Sequence, residues 1–374
     1  MDRNQSSIIY SSIKNRITFA EIALNFILLL IFAFSPISEI IAYKIQYRIY
    51  NEYLQFLAFM IIFGGCFSLL GTALSYYSGF IIEHDFKLSN QSYSEWKLEQ
   101  LKGLLLSAAI SLPLGLLFYF FLKVTGQYWW IFFGIAVFLF SVLLARIAPV
   151  LIMPVFYKFT PVDNDEINNR IKTLTRKFNL KFQNIYSFNL SKNTKKANAA
   201  FTGFGKTRRI ILSDTLIENF TPAEIEIIFA HELGHFKGRH IIKNILISAV
   251  VIFSSFYLCN LGYGFALEKM GYFEYHEIRM IPVLFFFLSV FSFIIMPVTN
   301  SISRHFEREA DIFAAETTGQ PEIFIDAMNK LAEINLADRN PNSIIEFIFH
   351  SHPSINRRIE LIKNRFRTGY QTEK

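Results

Sequence analysis

The sequence predicts a mainly α-helical, polytopic membrane protein, a bundle of about six spans that carries a small α+β region bearing the chemistry. Three observations predict it. Hydrophobic residues make up 52% of the 374-residue chain and charged residues 18%, with a mean hydropathy of +0.32; a soluble domain carries about a quarter charged residues. Long apolar runs recur at Ile22–Tyr43, Tyr53–Ile82, Gly103–Leu122, Val124–Ala145, Asn244–Leu267 and Met280–Ser303. Each suffices for a hydrocarbon core of roughly 30 Å, which takes about 20 helical residues. The charge is also lopsided: 14 Lys and Arg lie between Tyr157 and His240, and none in Thr125–Tyr128. The positive-inside rule then places the N-terminus, the Glu83–Lys102 loop, residues 157–240 and the C-terminal tail on the cytoplasmic side.

Taken in order, residues 1–156 read as membrane helices 1–4. The first run follows a polar stretch and has no small-residue cleavage site close behind it, so it reads as a true span and not a signal peptide. Arg146–Phe156 reads as a continuation of the fourth span or as a re-entrant piece. Residues 157–240 read as a soluble insert. In Thr160–Leu180, the spacing of Ile167, Ile171, Leu174 and Phe178 predicts an amphipathic helix. Phe182–Leu190, Ala197–Gly205 and Arg208–Ile217 read as three strands. Thr221, Pro222 and Glu224 then open a helix as N-cap, first residue and capping-box partner. Residues 241–303 hold spans five and six, and residues 304–374 a cytoplasmic region whose first helix stops near Gly319. Cys66 and Cys259 lie inside apolar runs and read as ordinary buried thiols.

The chemistry is carried by FAHELGHFKGRH, Phe229–His240. His231 and His235 are four apart, so both imidazoles leave one helical face and can meet one ion. Glu232 sits about 100° round the helix. That is the division of labour in zinc hydrolysis: two neutral imidazoles hold Zn²⁺, the ion acidifies a water, and the glutamate takes its proton. A third ligand is required. In FEREAD, Phe306–Asp311, Glu307 and Asp311 again share a face. Glu307 can ligate while Asp311 accepts the second N–H of a ligating histidine. Both motifs fall at the cytoplasmic ends of neighbouring spans. His240, His305 and His350 read as structural or solvated.

These two motifs resemble those of the membrane zinc peptidases of the CAAX prenyl protease type 1 family. Further segments resemble that family in the same order: FIIEHDFKLSNQS (Phe80–Ser92), IMPVFYKFTPV (Ile152–Val162), ANAAFTGFGKTRRIILSDTLI (Ala197–Ile217) and SHPSINRRI (Ser351–Ile359). The resemblance implies one Zn²⁺ per chain on His231, His235 and Glu307, with Glu232 as general base and Asp311 orienting a ligand. It implies an edge strand at Asn198 and Ala199 that holds the substrate backbone. It implies that His352 and Arg358 stabilise the oxyanion or a substrate carboxylate.

The reading is therefore a multi-pass membrane zinc endopeptidase with a cytoplasmic catalytic face, in an inner membrane if bacterial or the endoplasmic reticulum if eukaryotic. The resemblance implies cleavage of the last three residues of a prenylated C-a-a-X tail. A membrane-protein quality-control protease would use the same chemistry. A transporter or scaffold with a structural metal is the non-enzyme alternative, disfavoured because polar groups gather at the membrane edge and not within the spans. Expected partners are a peptide or lipidated protein and the bilayer; nothing reads nucleic acid.

Overall fold

The computed structural model describes residues 3–178, 185–202 and 209–369. α1 (Arg3–Phe34) ends at Ser35–Pro36 and is followed by the short α2 (Ile37–Arg48). α3 (Glu52–Ser75) starts on Asn51, whose side chain accepts the Leu54 N–H, and runs through one wide π turn into α4 (Ile82–Asp85). α5 (Tyr93–Thr125) opens on a Ser92–Glu95 capping box. Gly126, at φ +49°, then turns the chain into α6 (Trp129–Ile147), and a π turn leads on to α7 (Met153–Phe156). The Arg146–Phe156 segment is thus helix that continues the arm.

The insert begins with β1 (Phe159–Pro161) and α8 (Asp165–Lys177). β2 (Ile185–Phe188), β3 (Ala199–Thr202), β4 (Arg209–Ser213) and α9 (Asp214–Asn219) follow. α10 (Pro222–Lys237) carries the histidines, with the Thr221–Glu224 capping box and Pro222 in place. After it come α11 (His240–Lys269), α12 (Ile281–Thr318), α13 (Pro321–Ile334), α14 (Ser343–Phe349) and α15 (Ile355–Gly369).

Five helical runs among the described residues are long and apolar enough to cross a membrane: Arg3–Phe34, Glu52–Asp85, Tyr93–Phe156, His240–Lys269 and Ile278–Thr318. The third, of 64 residues, is about three hydrocarbon thicknesses long at 1.5 Å per residue. It folds back at Gly126 into two packed arms, α5 and α6, so six apolar arms are available. The first span lies earlier than the hydropathy pattern suggested. Pro36 has no N–H to continue α1, so Ile22–Tyr43 is cut in two, and Glu39 meets Arg279 at 3.6 Å on the polar rim. The polar N-terminal stretch is itself helix.

The ends of the arms make two polar rims. On one, Tyr10 and Lys14 of α1 meet Glu83 and Lys196 of the insert, and Lys192 meets Glu99 at 3.1 Å. On the other, Lys123 meets Glu52 at 2.6 Å. The N-terminus, the 83–102 loop and the insert therefore share one side.

The sheet has four strands in the order β1-β2-β4-β3, with β2 and β4 parallel and the outer pairs antiparallel. β1 escapes the sequence pattern because it has three residues and ends in Pro161, which only an edge tolerates. Of the expected strands, residues 182–184, 203–205 and 208 lie outside the described residues. Arg208–Ile217 is shorter as a strand because Ser213 caps α9, its side chain accepting the Leu216 N–H. The sheet packs on α8 and α10 through Ile171, Leu174, Ile210, Leu212, Ile225 and Phe229. Each such side chain contributes about 1.5–3 kcal/mol when fully buried.

Candidate metal centre and active site

α10 crosses α12 with almost no gap. A Cβ at Gly234 would lie 2.9 Å from Ala310 Cα and 3.1 Å from the Ala310 carbonyl oxygen. Glycine between the two histidines is what lets their helix reach the one bearing Glu307. At this crossing His231 Nε2 and His235 Nε2 lie 3.2 Å apart, and each is 3.3 Å from a Glu307 oxygen. Tetrahedral zinc with donors at about 2.0–2.1 Å sets them roughly 3.3–3.4 Å apart, so the triangle has the right edges. Glu307 Oε2 is buried without a hydrogen bond, an orphaned lone pair that a cation would satisfy. Two imidazoles and a carboxylate are also the donor set zinc takes when a position stays open. The three residues fit zinc.

Each histidine is held from behind. His231 Nδ1 lies 2.9 Å from Asp311 Oδ1. Asp311 is fully buried and gripped by Arg358, whose Nε and Nη2 donate to its two oxygens at 2.8 and 2.6 Å. Burial pushes the His231 imidazole down, but the neighbouring Asp311 and Glu307 carboxylates outweigh it and raise the metal-free group to about 9. His235 Nδ1 instead meets His240 Nδ1 at 2.9 Å, and His240 Nε2 meets Glu309 Oε2 at 2.8 Å. If His235 offers Nε2 to an ion, its Nδ1 carries the proton and donates to His240, which in turn donates to Glu309. His240 is 2% exposed and stacks on Phe306. Two backbone features bring it there. Arg239 is left-handed at φ +54°, and Gly238 leaves room, since a Cβ would lie 2.3 Å from the His240 ring.

His352 stands on the loop between α14 and α15. Its Nε2 is 3.4 Å from Glu307 Oε1, and its side chain is 62% exposed, so the ring borders the metal site and still faces solvent. Ser351 Oγ lies 3.0 Å from its other nitrogen. α12 also holds this loop: the buried Arg304 donates to the carbonyls of Glu346, Phe347 and His350, and Asn300 donates to that of Ile348.

β3 is an outer strand beside α10. The Ser213 N–H donates to the Asn198 carbonyl at 2.9 Å, and the Asn198 N–H to Ser213 Oγ at 3.0 Å. Antiparallel strands alternate, so with Asn198 turned towards β4 the backbone of Ala199 faces the outer edge. Asn335 closes the edge at Ala197, whose N–H it accepts at 3.0 Å.

Comparison with known proteins agrees with this geometry. Residues 161–366 match "Peptidase family M48", and residues 2–158 match "CAAX prenyl protease N-terminal, five membrane helices". The chain belongs to peptidase family M48. Saccharomyces cerevisiae CAAX prenyl protease 1 is 30% identical over 84% of this chain and 73% of its own. A Bacillus subtilis uncharacterized metalloprotease, YhfN, is 28% identical over 94% of this chain and 83% of its own. The crystal structure of S. mikatae Ste24p superposes with a TM-score of 0.83 at 26% identity, covering 97% of this chain and 89% of that one. This M48 chain is a membrane metallopeptidase of mainly helical fold.

In this peptidase His231, His235 and Glu307 converge, with Glu232 half-buried beside His231 on α10. Asp311 and His352 lie against the same cluster. Two expectations change. Arg358 was expected to face substrate; instead its guanidinium is buried on Asp311, 3.5 Å from His231 Nδ1. Asn198 was expected to share the template strand with Ala199; its backbone is turned inward, and only its exposed side chain is on offer. His240 was set aside and belongs to the site. Its one sequence signal is the His-x₄-His spacing after His235 across a glycine. His305 and His350 stay outside the triangle.

Proposed function

We propose that this M48 peptidase removes the three terminal residues of prenylated C-a-a-X tails, with its catalytic rim in the cytoplasm and one zinc ion on His231, His235 and Glu307. The observation that carries this reading is the placement of the zinc-sized triangle where α10 crosses α12, the helix that leaves a membrane arm and reaches Glu307 without a break. A lipid in the bilayer and a peptide bond at its edge can then be held together. The names of the relatives, CAAX prenyl protease 1 among them, support the substrate class, and the basic 157–240 segment supports the cytoplasmic side.

When bound, zinc acts as a Lewis acid that polarises the scissile carbonyl and acidifies a water. Glu232 accepts the proton of the attacking water and returns it to the leaving nitrogen. Asp311 and His240 each hold the far nitrogen of a ligating imidazole, which fixes its tautomer and ring plane. The exposed His352 donates to the carbonyl oxygen as negative charge grows on it. Ala199 pairs with the substrate backbone as an added strand, and the Asn198 side chain takes a neighbouring peptide group. Arg358 acts through Asp311.

The test is cleavage of a farnesylated C-a-a-X peptide by the full-length protein, read by mass, beside an unprenylated copy and a Glu232→Gln variant. Release of the three terminal residues from the lipidated peptide by the wild type alone is expected. Equal cutting of both peptides would instead favour a quality-control protease, and zinc-loaded protein that cuts neither would overturn the substrate assignment.

A further inference from the structure

Beside the metal centre lies a cavity of about 500 Å³, within the size range of small-ligand sites. Its near wall is shared with the active site through His352 and Arg358, and its far wall is one face of α1, carrying Tyr10, Ser11, Lys14 and Asn15. The far wall is polar and carries charge. Lys14 Nζ donates to Glu83 Oε1 at 3.2 Å, to Ser78 Oγ at 2.9 Å and to the Ser78 carbonyl at 3.1 Å. Lys196 Nζ reaches Glu83 Oε2 at 2.9 Å, and Tyr10 donates to the same carboxylate. Two ammonium groups and a phenol thus share one carboxylate, so this cluster by itself carries one positive charge in surplus. Asp338 lines the same cavity and brings a second carboxylate to it, which accepts the N–H of Asn340.

We propose that this cavity receives the leaving side of the substrate, the short aliphatic peptide released by the cut, and that Lys14 holds its free α-carboxylate. The proposal rests on the C-a-a-X reading above. An extended tripeptide spans about 10 Å, and its apolar middle would lie along Phe349 and Pro353. The carboxylate takes the place of the Ser78 hydroxyl at Lys14, so the ammonium keeps three acceptors and the surplus charge is neutralised. The N-terminal helix then becomes part of substrate selection: a chain that ends three residues after the cut is favoured over one that continues or is blocked.

The test uses full-length protein and farnesylated Cys-Val-Ile-Ala peptides as the free acid and as the C-terminal amide. The wild type is expected to prefer the acid by about tenfold in kcat/KM, with the difference in KM, the size of one charge-assisted hydrogen bond. Lys14→Gln is expected to bring that preference close to one. Free Val-Ile-Ala should inhibit the wild type, and Ser11→Phe, which narrows the cavity without touching the Lys14–Glu83 pair, should weaken that inhibition about tenfold. No acid preference in the wild type, or a preference that survives Lys14→Gln, overturns the subsite while leaving the C-a-a-X reading intact. If the wild type cuts neither peptide, the substrate reading itself falls and the subsite with it.

Discussion

Replacing Gly234 by alanine should break the metal centre without touching a ligand. The added Cβ would lie 2.9 Å from Ala310 Cα, a backbone atom that no rotamer change can move aside. Carbon atoms pack at about 3.5–4.0 Å, so α10 and α12 must part by roughly 0.6–1 Å. Metal–ligand distances tolerate about 0.2 Å. His231 and His235 ride on one helix and Glu307 on the other, so the separation falls wholly on the 3.3 Å edges that join them. The expected result is loss of Glu307 from the coordination set, with zinc affinity down at least 10–100-fold, the range already seen when only an outer partner of a ligand is lost. The overpacking itself should cost about 1–3 kcal/mol of stability. Competition with a chromophoric chelator measures the affinity, and thermal unfolding of the metal-free protein separates it from general damage. A Gly234→Ala protein that binds zinc as tightly as the wild type would refute the claim that this contact sets the ligand spacing.

Other outcomes follow from the same site. His240→Ala should weaken zinc about 10–100-fold while leaving the metal-free melting temperature within a few degrees, and His240→Gln, which can still accept from His235, should recover part of the loss; chelator competition reads both. Zinc affinity should depend on pH with a fixed sign. The metal-free His231 is raised to about 9, so below that pH zinc must displace a proton and its Kd should rise about tenfold for each unit by which the pH is lowered, with no such dependence above about 9, as a titration at several pH values would read. Thr221→Ala removes the cap of α10, whose hydroxyl accepts the Glu224 N–H, and should cost about 1 kcal/mol in denaturant unfolding.

Much of this was legible in the sequence wherever a period carried it. The i, i+4 pairs His231/His235 and Glu307/Asp311 share faces because a helix forces them to, and the apolar runs mark arms because a bilayer demands them. Features set by single backbone angles or by distant packing were not legible. His240 returns to His235 only because Arg239 is left-handed. Arg358 is drawn to Asp311 by a buried charge 47 residues away. The first arm was misplaced because a hydropathy window passes over Pro36 and starts only at the end of the polar residues, whereas α1 begins at Arg3. That is why Tyr10 and Lys14 could not be seen beside the catalytic loop.

The unbroken course of α12 has a consequence for how this chain can change in length. Its 38 residues make a rod of roughly 57 Å at 1.5 Å per residue, and only its latter part can lie beyond a bilayer. Adding or removing one residue between the membrane arm and Glu307 would turn the carboxylate by about 100° and carry it about 1.5 Å along the axis, away from both histidines. Insertions that a loop-borne ligand would absorb are therefore forbidden here. Adjustment to a thicker or thinner membrane must be made at the other end of the rod, in the turn at Ile278–Met280, where helical phase has no chemistry to answer to.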